Sequence, residues 1–198
     1  MKRLIFTVLA VMIVGLTTAA RRDLSALESA NCYMVCGGEN YSFLANVKGN
    51  GVATLGYSTH IDTKQIKGIK VVWEDCDFVI DESVKLSGSK ILFSTKKGAT
   101  KGNALIGIYS DEACSEGKCI WSWHIWLTDA VDCQIGGIVF LDRNLGAYST
   151  TLGASGENGC FWQWGRTDQP SELRPAVRQL PAQAYTYGQS GVPVIFRT

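Results

Sequence analysis

Apolar and polar positions alternate along most of this chain, most strongly in Ile120-Trp121-Ser122-Trp123-His124-Ile125-Trp126-Leu127-Thr128-Asp129. Side chains alternate faces along a strand, so Trp121, Trp123, Ile125 and Leu127 share one side. Ser122, His124, Trp126 and Thr128 take the other. A helix would scatter these residues around its circumference, so the pattern predicts a half-buried strand with an aromatic core face. On the second face, Trp126 beside His124 is either further packing or a platform for a sugar or a protein partner.

Similar runs precede this one. Asn31 to Cys36, ended by Gly37-Gly38, and Tyr41, Phe43, Ala45 and Val47 read as the first strands of a β-meander. Gly49-Asn50-Gly51 turns the chain, since glycine and asparagine tolerate positive φ. Ile69 to Asp75, Val84 to Leu86, Lys90 to Thr95 and Asn103 to Tyr109 continue the series, with Phe78 and Ile80 in a short edge-like piece. Gly51 to Tyr57 is a weaker strand candidate, and Arg21 to Ala30 reads as a polar lead-in. Short strands separated by glycine-rich turns predict an all-β fold, specifically an immunoglobulin-like β-sandwich over residues 31–129.

The texture changes near residue 130. Ile135 to Leu141 reads as one more apolar strand, followed by a glycine-rich stretch and then Cys160-Phe161-Trp162-Gln163-Trp164-Gly165-Arg166. Residues 130–168 read as the start of a second module, and 169–198 as an irregular tail with little periodicity.

Composition adds a compartment. The first 20 residues have the form of a secretory signal: Lys2 and Arg3, an apolar run from Leu4 to Leu16, then Thr17-Thr18-Ala19-Ala20 before Arg21. That run is shorter than the ~20 residues a spanning helix needs, so no transmembrane span is expected after cleavage. No cysteine sits at the cleavage point, which argues against a lipoprotein made there. Seven cysteines in an exported chain are read first as disulfide partners, and an odd count leaves a thiol over. Cys114 and Cys119 flank the turn-like Ser115-Glu116-Gly117-Lys118 and are the candidate disulfide, closing a hairpin tip. Cys32 and Cys36 would lie ~13 Å apart in an extended strand, too far for a mutual bridge. Zinc is not expected, because there is no C-x2-C pair and there are only two histidines.

Little else points to chemistry. A formal net charge of +1 gives no electrostatic case for nucleic acid. No local signature marks a cysteine as a nucleophile toward His60 or His124. Asp75, Asp77, Asp81 and Glu82 offer oxygen ligands but no EF-hand pattern, and read as solvated acidic turns. Asp142-Arg143 reads as an ion-paired turn, and Lys96, Lys97 and Lys101 as a solvated basic one. Exposed tryptophans would suit a carbohydrate-binding module, with Trp126, Trp162 and Trp164 as candidates, although the last two share strand parity and fit core packing too.

Three groups of residues carry a resemblance. The first is Ser29-Ala30-Asn31-Cys32-Tyr33-Met34-Val35 with Val47-Lys48-Gly49-Asn50. The second is Lys101-Gly102-Asn103-Ala104 with Trp121-Ser122-Trp123-His124-Ile125-Trp126-Leu127-Thr128-Asp129. The third is Leu141-Asp142-Arg143-Asn144-Leu145-Gly146-Ala147 with Trp162-Gln163-Trp164-Gly165-Arg166. In this order, over residues 29–168, they resemble a module of secreted, fimbrillin-like surface proteins of Bacteroides-type bacteria. The third group also resembles the opening of the Fibrobacter major paralogous domain, whose relatives have a C-type-lectin-like fold. Members of that family continue into a Trp-His-Leu-Pro-type motif, whereas Asp168-Gln169-Pro170 leads elsewhere here, so a truncated second module is expected. The resemblance implies an exported, non-enzymatic surface protein, fimbrial or adhesive, with other surface proteins or glycans as partners and no cofactor. It carries no catalytic residue across.

Overall fold

The computed structural model describes residues 20–53, 58–129, 132–135, 138–154 and 156–160, of which 132–135 and 138–139 are described as backbone only. In chain order the strands are β1 (Arg22–Asp23), β2 (Cys32–Val35), β3 (Asn40–Leu44), β4 (Gly68–Glu74) and β5 (Lys85–Ser87). They continue as β6 (Lys90–Ser94), β7 (Gly102–Tyr109), β8 (Cys119–Leu127), β9 (Asp132–Ile135) and β10 (Ile138–Leu141). The only helical pieces among the described residues are two three-residue 3-10 turns, Thr63–Gln65 and Asp81–Ser83. The all-β expectation is met. No helix among these residues is long and apolar enough to cross a membrane.

Two four-stranded mixed sheets hold the core. One has the order β1-β3-β6-β5 and the other β2-β8-β7-β4, while β9 and β10 form a separate hairpin. The β1–β3 and β2–β8 pairings are parallel and the others antiparallel. Tyr41, Phe43, Ile91 and Phe93 from the first sheet meet Ile106, Ile108, Trp121, Trp123, Ile125 and Leu127 from the second in one buried cluster. The contact between sheets includes Phe43 and Trp123, with ring centroids 5.2 Å apart. The predicted apolar face of β8 is therefore the core face of the second sheet.

Several expectations need correction. The first two strands are not neighbours in a meander: β2 lies in one sheet and β3 in the other. Alternation tells which face of a strand is apolar but not which strand it pairs with. The lead-in after Arg21 supplies β1, and Arg21 Nη1 donates to the carbonyls of Tyr41 (2.8 Å) and Phe93 (3.0 Å). Residues 135–141 are not one strand: β9 and β10 pair antiparallel, with Ile138 opposite Ile135. Nor is β8 half-buried: from Trp123 to Leu127 every residue is buried, on both faces.

The cover on the second face comes from beyond β10. Leu141 and Leu145 pack against Trp126 and Cys32, and Ala147 is fully buried. Backbone bonds hold this stretch in tight turns: Ala147 N to Asn144 O (2.8 Å), Tyr148 N to Gly156 O (2.8 Å) and Cys160 N to Leu145 O (2.9 Å). Arg143 is paired with Asp142 (2.6 Å), as the sequence suggested, and also with Asp129 (2.8 Å).

Candidate functional site

The strand register builds the site. Cys32 on β2 lies opposite His124 on β8, and Asn103 on β7 lies opposite Trp126, one diagonal step from His124. Cys32, His124 and Asn103 thereby form a row across the outer face of the second sheet. Cys32 Sγ is 3.1 Å from His124 Nδ1, and His124 Nε2 is 2.9 Å from Asn103 Oδ1. Asn103 Nδ2 in turn lies 2.9 Å from Asp75 Oδ2, 3.0 Å from the Gly146 carbonyl and 2.9 Å from the Tyr148 hydroxyl. The Tyr148 hydroxyl also donates to Asp75.

These partners set the direction of the bonds along the row. The Asn103 amide nitrogen faces a carboxylate and a carbonyl, so it donates and Oδ1 accepts. His124 must then carry its proton on Nε2, which leaves Nδ1 as the acceptor for the Cys32 thiol. The row reads Cys32 S–H to imidazole to amide to carboxylate, with all donors pointing one way.

Such connectivity resembles that of thiol hydrolases, in which an amide orients the histidine that deprotonates a cysteine. Its electrostatics differ. Burial pushes the Cys32 thiol far above its usual range, the proximity of Cys160 adding to the effect, and burial holds the His124 imidazole down to about 3. The proton stays on sulfur, whereas nucleophilic chemistry needs the thiolate. The base and the amide are also shut off from solvent, His124 and Asn103 being each 1% exposed.

The structure therefore overturns part of the predicted platform. Trp126 is 0% exposed and stacks on His124 with ring centroids 6.4 Å apart, so neither residue offers a face to a ligand. Trp162 and Trp164, the other two platform candidates, lie outside the described residues. The predicted Cys114–Cys119 disulfide is also absent. Cys114 stands as a thiol, packed so close to Gly68 that a Cβ there would come 2.6 Å from its sulfur. The Cys119 thiol donates to the Trp121 carbonyl at 3.5 Å. Asp75 serves the Asn103 network, Asp77 pairs with Lys96, and no group of three metal-ligating side chains occurs among the described residues.

Beside the row is a cavity of about 230 Å³, lined by Leu24, Glu28, Cys32, Tyr33, Met34 and Leu145 among others. Its lining is mostly apolar. Trp126 stands behind it with no surface open to solvent, and the indole N–H is buried without a hydrogen-bond partner.

Sequence reasoning missed Cys32, Asn103, Tyr148 and Cys160 as members of one site, and Asn31 beside it. Asn31 is the second buried amide: its Oδ1 accepts from Gly49 N (2.8 Å) and Trp121 Nε1 (3.1 Å). A polar amide within or beside an apolar strand was the available signal, because such a group must find partners if buried.

Comparison of the chain with family models, with curated proteins and with solved structures finds no match in any of the three.

One pH effect follows from the site. A histidine held neutral in the fold but free to titrate near 6.5 when unfolded makes the unfolded state bind more protons between those values. Stability therefore falls as pH drops from about 6.5 toward 3, by up to about 1.4 kcal/mol per unit from this residue. Urea denaturation between pH 7 and pH 4 should show this slope, and a folded His124→Gln variant should lose it.

Proposed function

We propose that this chain is an exported, non-enzymatic surface protein of the fimbrial or adhesive kind, built on an immunoglobulin-like β-sandwich with the start of a C-type-lectin-like module behind it. One observation carries the non-enzymatic part: the thiol, imidazole and amide that make up the chemically suggestive cluster bond to one another in the interior, neutral and screened from solvent. Their role there is to fasten the turns after β10 onto the second sheet through Gly146 and Tyr148. A rigid carrier of this kind suits a protein that presents surface rather than one that turns over substrate.

Assembly with other surface proteins would use the edges of the sheets. The ends of the two sheets are β1 and β5 in one and β2 and β4 in the other, and Met34 on β2 is exposed. Strand addition uses the backbone groups along such edges and needs no catalytic residue.

Surface labelling of intact host cells, combined with the intact mass of the labelled protein, tests the reading. Label on a chain that begins at Arg21 is the expected result. An unlabelled chain that keeps Met1 overturns it.

A further inference from the structure

We propose that Cys32 and Cys160 are a disulfide pair that staples the turns after β10 to strand β2. They come from opposite ends of the described chain, stand as thiols in this structure and both lie against Leu145. The Cys160 amide donates to the Leu145 carbonyl at 2.9 Å, while the Leu145 side chain packs against Cys32 and Trp126. Gly146 places the Cys160 sulfur beside the row that holds Cys32. A Cβ built there would lie 2.6 Å from Cys160 Sγ and 2.9 Å from Asn103 Oδ1, the same oxygen that binds His124 opposite Cys32. Gly146 has φ +83°, a conformation that favours glycine, and the absent side chain lets the sulfur approach.

The other cysteines with described side chains are less well placed. Cys36 is exposed, Cys114 sits against Gly68 at the opposite hairpin, and Cys119 bonds to the Trp121 carbonyl. Cys76 is the nearest competitor, but its sulfur lies against Tyr148, 3.9 Å from the hydroxyl. Burial, with Asp75 nearby, pushes the Cys160 thiol up to about 12, and Cys160 in turn opposes ionisation of Cys32. Closure is accordingly slow in mild oxidant, as expected of thiols that rarely ionise.

The oxidant is a low-molecular-weight disulfide. The Cys160 thiolate attacks one of its sulfurs and releases one thiol; the Cys32 thiolate then attacks the mixed disulfide at the Cys160 sulfur and releases the second. Two protein thiols are oxidised to one disulfide, one small disulfide is reduced to two thiols, and both cysteine protons end on the released thiols. The reaction also removes the S–H donor that His124 Nδ1 accepts from.

The test uses the full chain, purified reduced, equilibrated with oxidised glutathione, alkylated and mapped without reduction. This supplies the oxidant directly, so the outcome is independent of whether the chain is exported. The expected result is a cross-linked peptide joining Cys32 to Cys160, with a changed ¹⁵N shift at His124 Nδ1. The melting temperature should also rise, and Cys160→Ser should abolish that rise. Cys160 joined to Cys76 or to any other cysteine overturns the proposal. So does alkylation of both Cys32 and Cys160 after prolonged oxidation, and the wild-type map settles either point without needing a variant to fold.

Discussion

Trp123→Ala should lower the unfolding free energy by about 3–5 kcal/mol, the range for truncating a large aromatic in a packed core. Trp123 is 0% exposed, sits in the middle of β8 and packs on Phe43 across the two sheets. Removing the indole takes away both its own burial and the contact that joins the sheets. Domains of this size are stabilised by only about 5–15 kcal/mol, so the loss takes a large fraction of the total. Trp123→Phe should cost much less. It keeps an aromatic ring against Phe43 and deletes an indole N–H that has no hydrogen-bond partner in the core. Urea denaturation followed by circular dichroism separates the two variants by their midpoints.

The second large effect belongs to Asn103→Ala, expected to cost about 2–4 kcal/mol. The amide side chain satisfies His124 Nε2, Asp75 and the Gly146 carbonyl at once. Its loss removes the acceptor of His124 Nε2–H and the donor to the buried Gly146 carbonyl. Leaving buried groups unsatisfied costs more than the bond itself contributes. The variant should also loosen the turns after β10, because Gly146 loses its tie to the sheet and the Tyr148 hydroxyl keeps its bond to Asp75 but not the one to Asn103. Limited proteolysis should therefore cut between residues 142 and 154 in Asn103→Ala while the two sheets stay resistant. A variant that is as stable and as resistant as the wild type would show the network to be incidental.

Much of the fold was legible in the sequence. The period-two run around Trp123 gave the core strand and its inward face, and the glycine-rich turns gave most of the strand breaks. Pairing was not legible. The parallel contacts of β2 with β8 and of β1 with β3 depend on which edges the chain crosses between, and alternation carries no information about that. For the same reason, Trp126 and His124 looked available to a ligand. Their face is polar enough to suggest solvent, and the residues that cover it, Leu141 and Leu145, lie beyond a change in texture. The site was the least visible part. Cys32, Asn103 and His124 are unremarkable one by one and acquire a role only when the register lines them up.

Native-state hydrogen exchange of the amides of Ala147, Tyr148 and Cys160 tests the central claim most directly, namely that the buried row fastens the turns after β10 to the second sheet. Each of these amides donates within those turns, to Asn144, Gly156 and Leu145 respectively. The account predicts that they exchange as slowly as the amides of β8, and that Asn103→Ala speeds them selectively. Exchange at the rate of an open chain in the wild type, beside a protected β8, would contradict it.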